Sequence, residues 1–303
     1  MRTAGEEKKA ADGGWREALK TVAYAVAIAL VVRTLFYQPF NIPSGSMKST
    51  LLVGDYLFAS KFAYGYGRYS FPFGLIPFKG RFFGAEPQRG DVVIFKLPRD
   101  NATDYIKRVI GLPGDEIQVR DAIVYVNGRA LPQTPAGSYV GPEEGWRPKP
   151  RFQETLPNGV THYVLHWERQ ADLDNVGPFQ VPAGHYFMMG DNRDNSIDSR
   201  VSARYGVGYV PYENLVGRAE IVFFSMASDD PNAFRLTSPW TWPFDIRWSR
   251  IFTIVRLRVT HRHHCEPTQD VERDRALTVP SGERCAPDTS RRGSTSQRRK
   301  GSN

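Results

Sequence analysis

The chain has 303 residues, enough for one large domain or two modest ones, so length does not limit the core. With 6 Trp, 14 Tyr and 18 Phe and only 24% charged positions, the composition excludes an intrinsically disordered chain. The net charge of +8 is not a nucleic-acid footprint: residues 249–303 carry 12 Lys+Arg against 6 Asp+Glu and residues 1–20 carry 5 against 4, leaving the stretch between nearly neutral.

The first element in chain order is "ALKTVAYAVAIALVVRTLFYQPF" (Ala18–Phe40), apolar from Thr21 to Val32 and again from Leu35. Residues 18–37 supply the ~20 positions that a helix needs to cross a bilayer, and Arg33 can snorkel to the headgroups. No small-x-small site follows, so the segment reads as an uncleaved, single-pass anchor rather than a signal peptide. Arg2, Lys8, Lys9, Arg16 and Lys20 precede it. They place residues 1–17 in the cytoplasm and the bulk of the chain outside, on the periplasmic side if the membrane is a bacterial inner one. Ten residues separate Phe36 from Ser46, at most ~35 Å of extended chain, so Ser46 stays close to the bilayer surface.

Next comes "NIPSGSMKSTLLVGDYL" (Asn41–Leu57), with Ser44, Ser46 and Ser49 around Gly45. Alone it fits either a polar turn or a serine nucleophile. "YGYGRYSFPFGLIPFKGRFFG" (Tyr64–Gly84) is dense in aromatics and glycine, a loop packed on the core or one dipping into the membrane interface; "SPWTWPFDIRW" (Ser238–Trp248) reads the same way. "DVVIFKL" (Asp91–Leu97), "DYIKRVIGL" (Asp104–Leu112), "EIQVRDAIVYVNG" (Glu116–Gly128) and "GRAEIVFFSM" (Gly217–Met226) are β-branched and aromatic between Gly, Pro and Asn clusters. Asn127-Gly128 predicts a hairpin turn. No sustained 3.6-residue period occurs between Pro39 and Pro239. The expectation is a mainly β domain over 38–248 with an insertion at about 121–186, irregular and proline-rich at its centre.

Residues 249–303 form a basic tail, polar and aromatic-free beyond about Arg258, which is expected to lie outside the fold; truncation after about Ser249 should leave activity intact. Cys265 and Cys285 could pair there, stapling a tail rather than a core. His261, His263, His264 and Cys265 match no standard metal spacing, so no metal and no cofactor is expected.

A serine hydroxyl needs a base to become nucleophilic. None of the six histidines has a motif-like setting: three are in the tail, and His162, His166 and His185 lie in or beside the insertion. The other solution is a Ser-Lys pair, in which burial lowers the lysine pKa until the neutral amine accepts a proton. In "DYIKRVIGLPGD" Lys107 shares one strand face with Tyr105 and Val109, while Ile106, Arg108 and Ile110 share the other. Spacing alone leaves open which of Lys107 and Arg108 faces water. "GDNRDNSIDSRVSARYG" (Gly190–Gly206) has the density of a calcium loop, but Arg193, Ser196 and Ser202 stand where an EF-hand needs an oxygen ligand, Gly and Glu. It reads instead as an Asx turn network or a support for an active site.

"PSGSMKSTLLVGD", "RGDVVIFK", "YIKRVIGLPGD" and "GDNRDNSIDSR", in that order behind an N-terminal anchor, resemble the bacterial type I signal peptidases over most of the chain to about residue 225. The resemblance implies a membrane-anchored serine endopeptidase that removes signal peptides from preproteins after small residues. By it Ser46 is the nucleophile and Lys107 the general base, and the Ser44 hydroxyl and Ser46 N–H form the oxyanion hole. Ser196 would orient the Lys107 amine, and Asp198 would pair with Arg200, with Asp191 and Arg193 nearby. Phe40, Ile42, Pro43, Leu51, Tyr105 and Ile106 would line the substrate groove, where the substrate adds as a strand. The implied fold is an antiparallel two-sheet domain with a smaller inserted β region. The implied partners are preproteins and the lipid bilayer, with no nucleic acid. Two competing readings remain. A self-cleaving repressor would need a DNA-binding domain ahead of the protease, and only 17 residues precede the anchor. A binding protein with a dead site should have lost Ser46 or Lys107. One departure is local: the family usually has proline three residues after the nucleophile, and here Ser49 stands there.

Overall fold

The computed structural model describes residues 4–70, 80–141, 147–166, 172–227, 245–255 and 258–259, with side chains from Trp15 onward apart from Arg258 and Val259. Helix α1 (Ala4–Leu35) contains a 21-residue apolar stretch, Trp15–Leu35, exposed along its length and long enough to cross a membrane. It stops two residues short of the expected 37 because Pro39 cannot join a helix and biases Gln38 toward extended backbone. The Tyr66 hydroxyl donates to the Leu35 carbonyl at 2.6 Å, satisfying one orphan acceptor of the helix end. Lys61 N–H donates to Phe36 O at 3.0 Å. Two contacts therefore fasten the helix end to the β domain.

The strands that follow are β1 (Tyr37–Asn41), β2 (Asp55–Ser60), β3 (Val92–Lys96), β4 (Asp104–Gly111), β5 (Glu116–Arg120), β6 (Ile123–Val126), β7 (Arg129–Ala130) and β8 (Gln133–Tyr139). After them come β9 (Lys149–Thr155), β10 (Val160–Leu165), β11 (Val176–Gln180), β12 (His185–Met189), β13 (Val210–Pro211), β14 (Leu215–Ser225), β15 (Thr253–Ile254) and β16 (Arg258–Val259). The main sheet has eight strands in the order β1-β2-β14-β3-β4-β12-β13, with β15 paired to β14, and its pairings are antiparallel. Along β3, Val92 and Ile94 enter one apolar cluster with Met47, Leu51 and Ile106. Val93 and Phe95 enter another with Tyr64, Val109 and Met188. Both faces of the sheet are thus covered, which is why "VVIF" is continuously apolar rather than alternating. Lys107 and Arg108 are consequently both buried, at 3% and 2% exposure, and neither faces water.

Between β4 and β12 the chain leaves this sheet and builds a four-stranded sheet, β11-β5-β6-β7, and three strands of a second, β10-β9-β8, to which β16 from the far end of the chain adds as the fourth. The Asn127-Gly128 turn has φ 52° and 75°, the positive values a tight hairpin requires. The inserted region starts earlier than the expected 121, because β5 pairs with β6 and β11 and not with the main sheet. Its centre is also more regular than its prolines suggest: Pro135 and Pro150 sit within paired strands β8 and β9.

The expected tail boundary at 249 is too early. Arg250 forks onto the fully buried Asp55, Phe252 N–H donates to Val222 O, and Val255 is buried in the core. Truncation after Ser249 would therefore remove parts of the fold, contrary to the sequence expectation. The tail cysteines and histidines, and the centres of the two aromatic segments (71–79 and 238–244), lie outside the described residues.

The loop between β1 and β2 carries the serine cluster. A 3₁₀ turn at Gly45–Met47 is held from below by Met47 and Leu51, both fully buried. Ser49 has φ 70°, a value closed to proline, and its hydroxyl donates to Tyr163 O of β10 at 3.1 Å. Serine can therefore adopt a loop geometry here that proline could not. Ser49→Pro is expected to destabilise the protein by more than about 1 kcal/mol, read as a lowered urea midpoint in detergent; an unchanged midpoint would show that the loop does not need this backbone. Arg250→Ala, which takes the counter-charge from the buried Asp55 carboxylate and leaves it, among the described residues, only the Leu52 N–H and Ser225 hydroxyl, should cost about 3 kcal/mol in the same measurement.

Candidate active site

Ser46 sits in the 3₁₀ turn just after β1, and Lys107 lies midway along β4. Their 61-residue separation closes to a 2.7 Å hydrogen bond between Lys107 Nζ and Ser46 Oγ. Nζ also donates to the carbonyl of Ile106 at 3.0 Å and lies 5.4 Å from the centre of the Tyr105 ring. Burial of the amine lowers its pKa to about 8, against a smaller upward pull from Asp198 and Asp191. Ser44 Oγ lies 3.4 Å from Ser46 Oγ.

The backbone around Ser46 is fixed by Asn192, whose N–H donates to Ser46 O at 3.0 Å and whose Nδ2 donates to Gly45 O at 3.1 Å. Close approach at the next loop requires Gly190: a Cβ there would fall 2.6 Å from Ser46 O and collide with Ser196 Oγ. Ser196 is buried, but its hydroxyl makes no hydrogen bond to Lys107. The expected orienting contact is missing because the amine turns to Ser46 and to the carbonyl of its neighbour Ile106.

Three buried ion pairs stand behind these residues. Arg200 forks onto Asp198 with both contacts at 2.9 Å, and its Nη2 donates to Arg193 O at 2.6 Å. Arg108 forks onto Asp191 at 2.8 and 2.6 Å, and Thr50 adds its hydroxyl to the same carboxylate. Arg193 pairs with Glu154 of β9 rather than with any acid of its own loop. Burial pushes each of these carboxyls up, but the facing arginine together with the other hydrogen bonds and charges on each carboxylate outweighs it, so Asp191, Asp198 and Glu154 all lie below the usual carboxylate range. His162, between Glu154 and Asp191 at 3.4 and 3.9 Å, has its pKa lowered by burial and by Arg108, which favours the neutral ring.

A cleft of about 430 Å³ opens over Ser46 and Lys107. Of the residues expected to line it, Phe40, Ile42, Pro43, Tyr105 and Ile106 do, together with Ser44 and Ser46. Leu51 does not: it is fully buried, packed beneath the serine turn. Sequence reasoning missed Thr103, Asp104, Asn195 and Ile197 on the rim, and Lys149, Glu154 and His162 in the support. Asn192 and Asn195 stood in plain view inside the "GDNRDNSIDSR" box; the insertion residues carried no motif. Ligand atoms of His166, Asp174 and Asp194 lie within 4.8 Å of one another, a donor set of the kind that holds a divalent cation, but they do not line the cleft.

The backbone around the cleft is open on two sides. β1 pairs with β2 alone among the described strands. The first half of β4, Asp104–Lys107, pairs with β3 on one side, since β12 pairs with β4 only from Arg108 onward. The arrangement thus combines a hydroxyl held against a buried amine of lowered pKa with free strand edges beside an apolar cleft, the requirements for nucleophilic attack on an extended peptide.

Comparison with known proteins places these features in one family. The model of the family described as signal peptidase, peptidase S26, matches residues 15–224. Signal peptidase I of Rickettsia typhi (strain ATCC VR-144 / Wilmington) is 42% identical over 255 residues, covering 78% of this chain and 92% of the relative. Signal peptidase I of Rickettsia canadensis (strain McKiel) is 46% identical over 217 residues, covering 68% and 78%. A solved signal peptidase I from Enterococcus faecalis V583 aligns at 28% identity over 44% of this chain and 97% of its own, with a TM-score of 0.27. With an antiparallel β fold, a serine beside a buried lysine and a family match spanning both, the chain belongs to the signal peptidase I family of peptidase S26, which are serine peptidases.

Proposed function

We propose that this protein is a membrane-anchored signal peptidase that cuts preproteins after small residues with a Ser46–Lys107 dyad. The observation that carries the reading is the 2.7 Å contact between Ser46 Oγ and a lysine amine whose pKa burial brings to about 8. An extended stretch of preprotein enters between the Phe40–Pro43 segment and Asp104–Ile106, adding main-chain hydrogen bonds to the free strand edges. Ile42 and Ile106 are nearly inaccessible, at 2% and 9% exposure, and form a floor suited to alanine-sized side chains.

Neutral Lys107 takes the Ser46 proton as Oγ attacks the scissile carbonyl carbon. The oxyanion that forms is held by the Ser44 hydroxyl and the Ser46 N–H. As the C–N bond breaks, the Lys107 ammonium returns its proton to the leaving amine, leaving an acyl-enzyme on Ser46. Lys107 then deprotonates a water that attacks the ester, and the second tetrahedral intermediate collapses with the proton passing back to Ser46. The Asp198–Arg200 and Asp191–Arg108 pairs keep the walls around the amine rigid. With the apolar run from Thr21 to Leu35 in the bacterial cytoplasmic membrane and the basic residues Arg2, Lys8, Lys9, Arg16 and Lys20 at or inside its cytoplasmic face, the β domain works on the outer, periplasmic surface, where a signal peptide's cleavage site emerges.

Ser46→Ala and Lys107→Ala are expected to abolish cleavage of a model preprotein in detergent while leaving the thermal melt cooperative. Lys107→Arg should be equally inactive, because a guanidinium does not deprotonate to serve as base. Near-normal turnover by either Lys107 variant would rule out the dyad. Since the base must be neutral, wild-type kcat should rise with pH through about 8, with roughly a tenth of the amine unprotonated at pH 7. The same shift makes a stability prediction. The folded amine, at about 8, loses its proton before the unfolded one at 10.5, so the burial penalty is full below about pH 8 and is relieved as pH rises toward 10.5. Lys107→Met should therefore gain on the order of 3 kcal/mol at pH 7, and the gain should shrink when the melts are repeated near pH 10.

A further inference from the structure

The inserted region reaches the serine turn through a buried cation. Lys149, the first residue of β9, is 2% exposed, and its Nζ donates to Asn192 Oδ1 at 2.8 Å. An ammonium can only donate, so this contact decides which way round the Asn192 carboxamide sits: oxygen toward Lys149, nitrogen toward Gly45. The nitrogen then reaches Gly45 O at 3.1 Å, while the Asn192 backbone N–H holds Ser46 O at 3.0 Å. With the amide reversed, two carbonyl-type oxygens would face each other at Gly45 and the contact would be lost.

Holding Gly45 O has a consequence one bond away. In a trans peptide the Ser46 N–H points opposite to Gly45 O, so fixing the carbonyl on the Asn192 side also fixes the direction of that N–H. The same peptide carries the Cα from which Oγ projects toward Lys107. The inserted region that supplies Lys149 is also clamped to the site at other points, through β10 by Ser49 Oγ on Tyr163 O and by Leu165 N–H on Asp191 O, and through β9 by Glu154 on Arg193. The Lys149 contact differs in ending on the nucleophile's own peptide after a single intermediary.

We propose that Lys149 is a positioning residue for the reaction at Ser46, acting through the Asn192 carboxamide to set the Gly45–Ser46 peptide. The proposal rests on the assignment of Ser46 as nucleophile given above. Lys149 does not line the cleft, and the downward shift of Lys107 arises from burial rather than from a neighbouring cation. Its loss should therefore reduce the rate of the chemical step without moving the pH at which the base titrates.

The test uses the full-length enzyme in detergent with a model preprotein, and compares Lys149→Met, Asn192→Asp and the double variant. Asn192→Asp keeps a partner for Lys149 but has no N–H to give Gly45 O. Each single variant should lower kcat about 10- to 100-fold, with KM within about twofold and, in Lys149→Met, the pH midpoint unchanged. The double variant should be no slower than the slower single one, because both changes break one chain of contacts. Wild-type kcat in Asn192→Asp, or losses that multiply in the double variant, would overturn the relay. If Lys149→Met fails to fold, the Asn192→Asp kcat decides alone. Activity in Ser46→Ala would instead sink the reading of the site itself, which separates the two failures.

Discussion

The energetic centre of this molecule is the removal of one lysine amine from water. Lys107 lies on a strand covered on both faces, and its pKa falls to about 8 because the charged form cannot be solvated there. Much of the neighbouring architecture can be understood as making that burial possible. The β3 strand beside it is apolar on both sides, and the fully buried Met47 and Leu51 seat the serine turn that brings Ser46 to the amine. A more open site would return the lysine to its ordinary range and, on the function proposed above, leave the hydroxyl without a base at neutral pH.

A site built around a buried amine still has to hold its walls. Three arginine–carboxylate pairs do this, each buried, and each would be a liability if one member were lost. Two of the carboxylates, Asp191 and Asp198, also draw the Lys107 pKa upward, opposing the effect of burial. Their charge is directed mainly at Arg108 and Arg200, which limits that opposition. The inserted sheets join the same framework through Glu154 and Lys149, so a region outside the cleft helps to set its geometry.

The sequence was legible where function is written in short local strings. The apolar anchor, the strand runs, the Asn127-Gly128 turn and the serine, lysine and acidic boxes each announce themselves within about a dozen residues. It was opaque where a charge is paired across the fold. Glu154 and Arg193 are 39 residues apart, and Arg250 and Asp55 are 195 apart. Read locally such residues look solvent-facing, and only the tertiary arrangement shows them paired across the fold. The same blindness put the end of the fold at 249, since nothing near Arg250 announces its distant partner. Leu51 was misplaced for a related reason: apolar character near Ser46 cannot distinguish a cleft wall from the packing below it.

The two hydrogen bonds that fasten the end of α1 to the β domain, Tyr66 to Leu35 and Lys61 to Phe36, also bear on how substrates are measured. A limp tether would let Ser46 wander over a range of heights above a lipid surface. A tied one gives it a set elevation once the helix is in a bilayer. On the function proposed above, a preprotein held by its own apolar segment would then be gauged by the length of chain between that segment and the scissile bond. Lengthening this spacer should move the cut out of register even where the residues flanking it are ideal.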